Sequence, residues 1–218
     1  MSEIPGPVAM MLLGVAVGLL PFMLLLATSF LKISVVLALL RNAIGVQQIP
    51  PPMAINGLAI IITIFIMFPV CQDTMTLLEQ QNISAEQLKS AEILTIAGNV
   101  SGPLHDFLAR HADPAVSNVL LQTAKSIWPA RYSAFADPSH WIVLIPTFAI
   151  SEISRAFELG FLLYLPFVCI DLVVSNILLA MGMMMVSPMT ISLPFKLLLF
   201  VTLDGWTKVF QGLMLSYR

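Results

Sequence analysis

The chain has 218 residues, 58% apolar and only 10% charged, with a net charge of −2 and a mean hydropathy of +0.93. Soluble domains carry roughly 25% charged residues, so ten Lys and Arg with twelve Asp and Glu cannot cover a water-facing surface, and the composition describes a membrane protein. It argues against a soluble enzyme and against a nucleic-acid binder, which needs basic charge to grip phosphate.

The first apolar run, Ile4 to Leu31, contains no charge and continues past Lys32 to Leu40. That is too long for one straight span of about 20 residues, and Pro21 predicts a kink or break within it. Gly14 and Gly18 form a G-x-x-x-G, a spacing that lets helices approach closely, although generic packing accounts for it equally well. Glu3 stands where a secretory signal carries basic residues, and no small-x-small cleavage site follows, so this run is expected to be retained. The loop RNAIGVQQIPPP follows, whose prolines at 50, 51 and 52 cannot continue a helix. A compact second segment from Met53 to Val70 then completes a helical hairpin over residues 1–70.

Residues 71–140 hold eleven of the twenty-two charges and form a second, water-facing unit. Ser84 and Gln87 have the spacing of a capping box. Pro103 and Pro114 are placed as first-turn prolines, the latter with Asp113 as N-cap, and Val116, Val119, Leu120 and Ile127 recur at helical spacing. A small helical insert is predicted. His105, His111 and His140 have no clustered carboxylate or Cys at metal-ligand spacing, which predicts solvent-facing imidazoles. Cys71 and Cys169 lie too far apart to suggest a disulfide framework.

From Trp141 to the end the apolar character returns, and two long helices joined near Ser187 to Pro194 fit best. Pro146, Pro166 and Pro194 interrupt them, so neighbouring helices must satisfy the freed carbonyls. The fold class is therefore all-α: membrane-associated hairpins over 1–70 and 141–218, about four hydrophobic segments, and the helical insert over 71–140. Short-loop positives divide as Lys32, Arg41 and Lys196 against Lys208 and Arg218, which leaves orientation open; Arg41 on the cytoplasmic side would put the insert outside.

Six charges are embedded in the last apolar block: Glu152, Arg155, Glu158, Asp171, Lys196 and Asp204. Each costs about 2.5 to 3.5 kcal/mol at a bilayer centre on insertion scales. Four acids against two bases cannot neutralise one another, so further partners must come from Lys32, Arg41, Lys208, water or other subunits. Snorkelling at helix ends suits Asp204 and Glu158 as well as a polar seam between helices does; the seam suits Glu152 and Asp171 better. An ion pair between Glu152 and Lys196, within or between copies, is expected, the alternative being that Lys196 snorkels and Glu152 pairs with Arg155. Met181, Met183, Met184, Met185 and Met189 cluster just before and after the Ser187-Pro188 turn. Flexible thioethers suit either a deformable seal or ordinary filling of a helix end. Nucleotide-binding, zincin and hydrolase motifs are absent.

Three stretches carry a family resemblance: ATSFLKISVVLALLRNAIGVQQIPP (Ala27 to Pro51), PTFAISEISRAFELGFLLYLPFVCIDLVVSNILLAMGMMMVSPMTISLPFK (Pro146 to Lys196) and LLLFVTLDGW. Together they closely resemble the FliP/SctR family, part of the inner-membrane export apparatus of type III secretion systems. The lack of a cleavable signal looks more like the injectisome branch than the flagellar one. The resemblance implies a non-enzymatic subunit without cofactor, assembled as a pentamer. Its implied partners are FliQ/SctS-type and FliR/SctT-type subunits around a channel, FlhB/SctU-type and FlhA/SctV-type export components, and unfolded secreted proteins as substrates. It also implies tall hairpins in the bacterial inner membrane, held largely on its periplasmic side. Met183, Met184 and Met185 match a methionine-rich constriction of the closed channel, and Arg41, Asn42, Gln47 and Gln48 belong to the matching loop, read as an assembly element. Glu152, Arg155, Asp171 and Lys196 are read as inter-helix or inter-subunit charges. A small-molecule or ion transporter is the competing class, although no internal repeat supports it.

Overall fold

The computed structural model of the chain describes residues 11–46, 50–80 and 98–218, apart from scattered positions between 12 and 24 and residue 99. The capping-box pair Ser84 and Gln87, Gln47 and Gln48, and Glu3 lie outside the described residues. Gly14 and Gly18 are helical, and among the described residues nothing outside their own helix lies within 4 Å of where a Cβ would sit on either.

Pro21 sits inside helical backbone, and the break falls later, at Ala27–Ser29. Thr28 and Ser29 explain the placement, because hydroxyls compete for backbone groups: the Phe30 N–H donates to Thr28 Oγ1 at 3.5 Å. Helix α1 then runs Phe30–Ile44 and stops at Gly45, whose φ of 85° is a left-handed conformation that suits glycine. Helix α2 spans Pro52–Gln80, with Pro52 in the first turn, where its missing N–H costs nothing. It continues past Val70, so the change from apolar to charged composition happens within one helix.

The insert contributes α3 (Gly102–His111), α4 (Pro114–Ile127) and a 3₁₀ turn (Ala130–Phe135). Pro103 and Pro114 occupy first turns, and Asp113 caps α4 by accepting the Ala115 N–H at 2.8 Å. The histidine expectation fails at His111, which is buried: α3 turns its Phe107, Leu108 and His111 face inward. His140 caps the next helix by accepting the Ile142 N–H.

Helix α5, Trp141–Ala180, is 40 residues long and contains both Pro146 and Pro166. At about 1.5 Å per residue it measures roughly 60 Å, twice a hydrocarbon core. The following turn occupies Met181–Ser187, earlier than expected, because Pro188 opens α6 (Pro188–Thr202) and Pro194 is absorbed within that helix. Helix α7 (Gly205–Leu215) departs from α6 at 61°. The bend is made at Asp204, which holds a left-handed φ of 52°. Among the described residues α2 and α5 are each long and apolar enough to cross a membrane, and the bent α6–α7 pair together makes a third candidate.

Helix α1 is the centre of the packing. Ile33, Val36, Leu37 and Leu40 are essentially inaccessible and meet Ile55, Ala59 and Ile62 of α2, Ala156 and Phe167 of α5, and Val209 and Leu213 of α7 in one core. A second core joins the insert to the hairpins, with Phe107 and Leu108 packed among Ala27, Met67, Leu144 and Phe148. The polar insert is thus fastened to the hydrophobic halves by shared apolar burial, each such side chain contributing about 1.5 to 3 kcal/mol.

The α6–α7 corner leaves no room beside Gly205, where a Cβ would strike the ring of Phe200, itself edge-on to Trp206 at 5.2 Å. Gly205→Ala should therefore lower stability by about 1 to 3 kcal/mol through overpacking. Gly57→Ala, at a helical site with open space, should be neutral or stabilising by up to about 1 kcal/mol. Thermal unfolding in mild detergent distinguishes the two, and equal midpoints would show that the corner is not tightly packed.

Candidate functional site

Two polar constellations and one turn hold most of the site residues singled out from the sequence. The first is built on Glu152, which α5 points into the bundle at 0% exposure. Its carboxylate meets Lys32 Nζ of α1 at 3.3 Å, with Lys32 only 1% exposed, and Arg155 Nη1 one turn along α5 at 3.5 Å. The Tyr217 hydroxyl, carried in beyond α7, donates a third hydrogen bond to it. Lys32 also sits 3.5 Å from the centroid of the Tyr217 ring, a cation–π contact inside the bundle. Arg155 donates to the His111 carbonyl at 2.9 Å and so clips the end of α3 to the cluster. Burial, with the Glu152 carboxylate beside it, holds the Tyr217 phenol well above its ordinary value, so it stays a donor.

The second constellation joins α5, α6 and the end of α1. Lys196 Nζ meets Asp171 Oδ2 at 2.6 Å and donates to the Ala43 carbonyl at 3.2 Å. The Ser192 hydroxyl donates to the other Asp171 oxygen at 2.6 Å. A lysine on a last-turn carbonyl satisfies an orphan acceptor and complements the helix dipole. Lys196 is 4% exposed, whereas the Asp171 side chain is 38% exposed, so this pair lies nearer the surface.

Within one chain the expected pairing of Glu152 with Lys196 is corrected: Glu152 meets Lys32 and Arg155, and Lys196 meets Asp171. Glu152 and Asp171 are roughly 28 Å apart along one helix at about 1.5 Å per residue, and α6 returns alongside the Asp171 end. The alternative is corrected in part, since Glu152 does pair with Arg155 but Lys196 is buried and does not snorkel. Tyr217 was missed altogether, because a lone tyrosine after a helix carries no pattern. Lys32 was legible only as one of several candidate donors.

The turn between α5 and α6 displays the methionines. Gly182 is left-handed at φ 74°, and Met184 and Met185 project almost wholly into the open at 82% and 102% exposure, with Met183 at 43%. Of the loop residues, Arg41 is half-buried on the last turn of α1 and Asn42 is exposed, its carbonyl accepting the Gly45 N–H. Both cysteines are free and exposed. An open apolar groove of about 480 Å³ between α5 and α6 is lined by Cys169, Val173, Ile177 and Phe195 among others. Among the described residues no cluster of three His, Cys, Asp or Glu could hold a metal ion.

Removing one partner of a buried pair strands the other charge. Lys32→Met should therefore destabilise by about 3 kcal/mol. Asp171→Asn, at the more exposed pair, should cost about 1 kcal/mol. The double variant K32M/E152Q should be less destabilised than the sum of its single variants, because no lone carboxylate remains. Strict additivity in chemical or thermal unfolding would mean that the Lys32–Glu152 contact carries no coupling.

The FliP family profile matches residues 12–213. "Yop proteins translocation protein R" of Yersinia pestis is 48% identical over 217 residues, covering 100% of this chain and 99% of that protein. "Harpin secretion protein HrcR" of Erwinia amylovora is 43% identical, covering 93% and 92%. "Virulence protein YscR" of Salmonella typhimurium is 41% identical, covering 92% of each. With apolar helical hairpins, a shared profile over nearly the whole chain and end-to-end similarity to these proteins, the chain belongs to the FliP family.

Proposed function

We propose that this chain is a non-enzymatic subunit of a type III protein secretion apparatus, which with copies of itself lines the channel that unfolded proteins cross. The observation that carries the reading is full-length similarity to translocation and secretion proteins of this family, joined to a turn that exposes three consecutive methionines. The polar side chains support a structural role, because Glu152, Lys32, Arg155, Asp171 and Lys196 are engaged with one another and with backbone. The implied neighbours are FliQ/SctS-type and FliR/SctT-type subunits, together with FlhB/SctU-type and FlhA/SctV-type components, in the bacterial inner membrane. A 40-residue α5 fits hairpins that rise beyond a bilayer better than it fits a simple span.

Met183, Met184 and Met185 form the gate in this reading. Three exposed thioethers per copy, gathered about a common axis, would make a dry constriction that excludes hydrated ions. Their flexible torsions would let the same ring deform around a polypeptide of any sequence. Nothing packs against Met185 in the single chain, so truncation there costs little folding energy. The triple variant M183A/M184A/M185A should assemble with normal native mass while raising small-ion leak several-fold in cells carrying the whole apparatus. Wild-type leak in a normally assembled triple variant would return the methionines to plain surface packing, and a chain that is only ever monomeric in mild detergent would end the channel reading.

A further inference from the structure

Among the described residues, the embedded charges do not all find partners within one chain. Lys32 and Arg155 take Glu152, and Lys196 takes Asp171. Asp204 lies at the exposed α6–α7 corner, where it accepts from Thr207, at the foot of a helix whose dipole favours a carboxylate. Glu158 has no such shelter. It is exposed midway along α5, surrounded by exposed Phe157, Phe161, Leu162 and Leu165, with no ion pair among the described residues. A carboxylate on an apolar helix face is costly unless something cationic meets it. On α1, Arg41 is the converse: its Nε is enclosed by protein yet has no hydrogen-bond partner among the described residues.

These two residues are placed to meet between molecules and not within one. Lys32 contacts Glu152, and Leu39 abuts Gly160, so α1 and α5 run parallel with residues near 32 and 39 level with those near 152 and 160. Arg41 follows Lys32 by nine residues, half a turn round at about 100° per residue, so it faces away from α5. Glu158 follows the buried Ala156 by two residues, about 200° round, so it faces away from α1. The pair therefore sits on opposite sides of the α1–α5 unit. Along the axis Arg41 is level with residues 161 and 162 of α5, within about one helical turn of Glu158. Copies related by rotation about an axis parallel to these helices keep their heights, so the outer face of α5 in one copy presents Glu158 near the level of Arg41 in the next.

We propose that a second copy of this chain docks the Glu158 face of its α5 against α1, where Arg41 receives the carboxylate. The occupant is fixed by charge complementarity on an apolar ground: a planar guanidinium matches one carboxylate bidentately, and Phe161, Leu162 and Leu165 supply the surrounding burial. The contact is heterologous, two different faces meeting, and such contacts close into rings when the rotation permits. It rests on the reading of the chain as a self-assembling subunit and specifies the surface through which copies join.

Two differently tagged chains, one R41C and one E158C in a C71S/C169S background, are co-expressed with the rest of the apparatus and treated with a short bis-maleimide. The expected result is an adduct carrying both tags that is absent when either new cysteine is omitted. An assembled complex of wild-type mass that yields no such adduct overturns the Arg41–Glu158 contact and leaves the self-assembling subunit intact. A cysteine-free chain found only as a monomer overturns both. Should R41C fail to assemble, a photo-cross-linking phenylalanine at position 158 gives the same decision: attachment to α1 of another copy supports the contact, and attachment elsewhere refutes it.

Discussion

A carboxylate at zero exposure inside an apolar bundle is the constraint on which the rest of this structure depends. Glu152 cannot be desolvated alone, and three donors converge on it from three parts of the chain: Lys32 from α1, Arg155 from its own helix, and Tyr217 from beyond α7. Each donor fixes an element. Lys32 sets the height of α1 against α5, Arg155 ties in the end of α3 through the His111 carbonyl, and Tyr217 draws the last helix back over the start of α1. Leu39 against Gly160 favours the same register, but Ile33, Val36, Leu37 and Leu40 are similar in size and by themselves would tolerate a slip of one turn between α1 and α5. A slip would strand an ammonium in hydrocarbon, and that penalty selects one register.

Helix α5 is divided by these interactions into two functional lengths. Its first half carries the insert and the Glu152 cluster, and its second half carries Asp171, the return helix α6 and the methionine turn. Lys196 joins the two ends of the molecule's logic by bonding both Asp171 and the last turn of α1. The turn itself then stands on a helical pair whose spacing is pinned by a charge contact one face over. Rigid supports with a soft, apolar tip are what the proposed gate would require.

Much of this plan was legible in the residues, and the failures have physical causes. Asp113 before Pro114 is a cap and a first turn in two adjacent residues, so α4 could be placed closely. The end of α2 could not, because its apolar face stops near Val70 while its backbone continues on helix-forming residues to Gln80. Pro146, Pro166 and Pro194 read as interruptions, yet long helices absorbed all three, since neighbours in a bundle can satisfy what a proline frees. Glu152 and Lys196 were both recognised as buried charges, but which base meets which acid depends on how far apart they lie along a helix and on where the chain turns back. His111 was misread because a polar insert suggested a polar surface, whereas α3 keeps one inward face.

The distance in sequence between the members of the buried pairs shapes how the chain must be made. Lys32 and Glu152 are 120 residues apart, which at about 5 to 20 residues per second leaves roughly 6 to 24 s of synthesis between them. Lys196 meets the Ala43 carbonyl across 153 residues. During that interval the Lys32 ammonium has no Glu152 carboxylate to meet, which adds to the cost of burying α1 in an apolar surrounding before the second hairpin is made. The ion pairs thus act as a clock as well as a clamp, because the N-terminal half becomes comfortable in its final position only after the second hairpin has arrived.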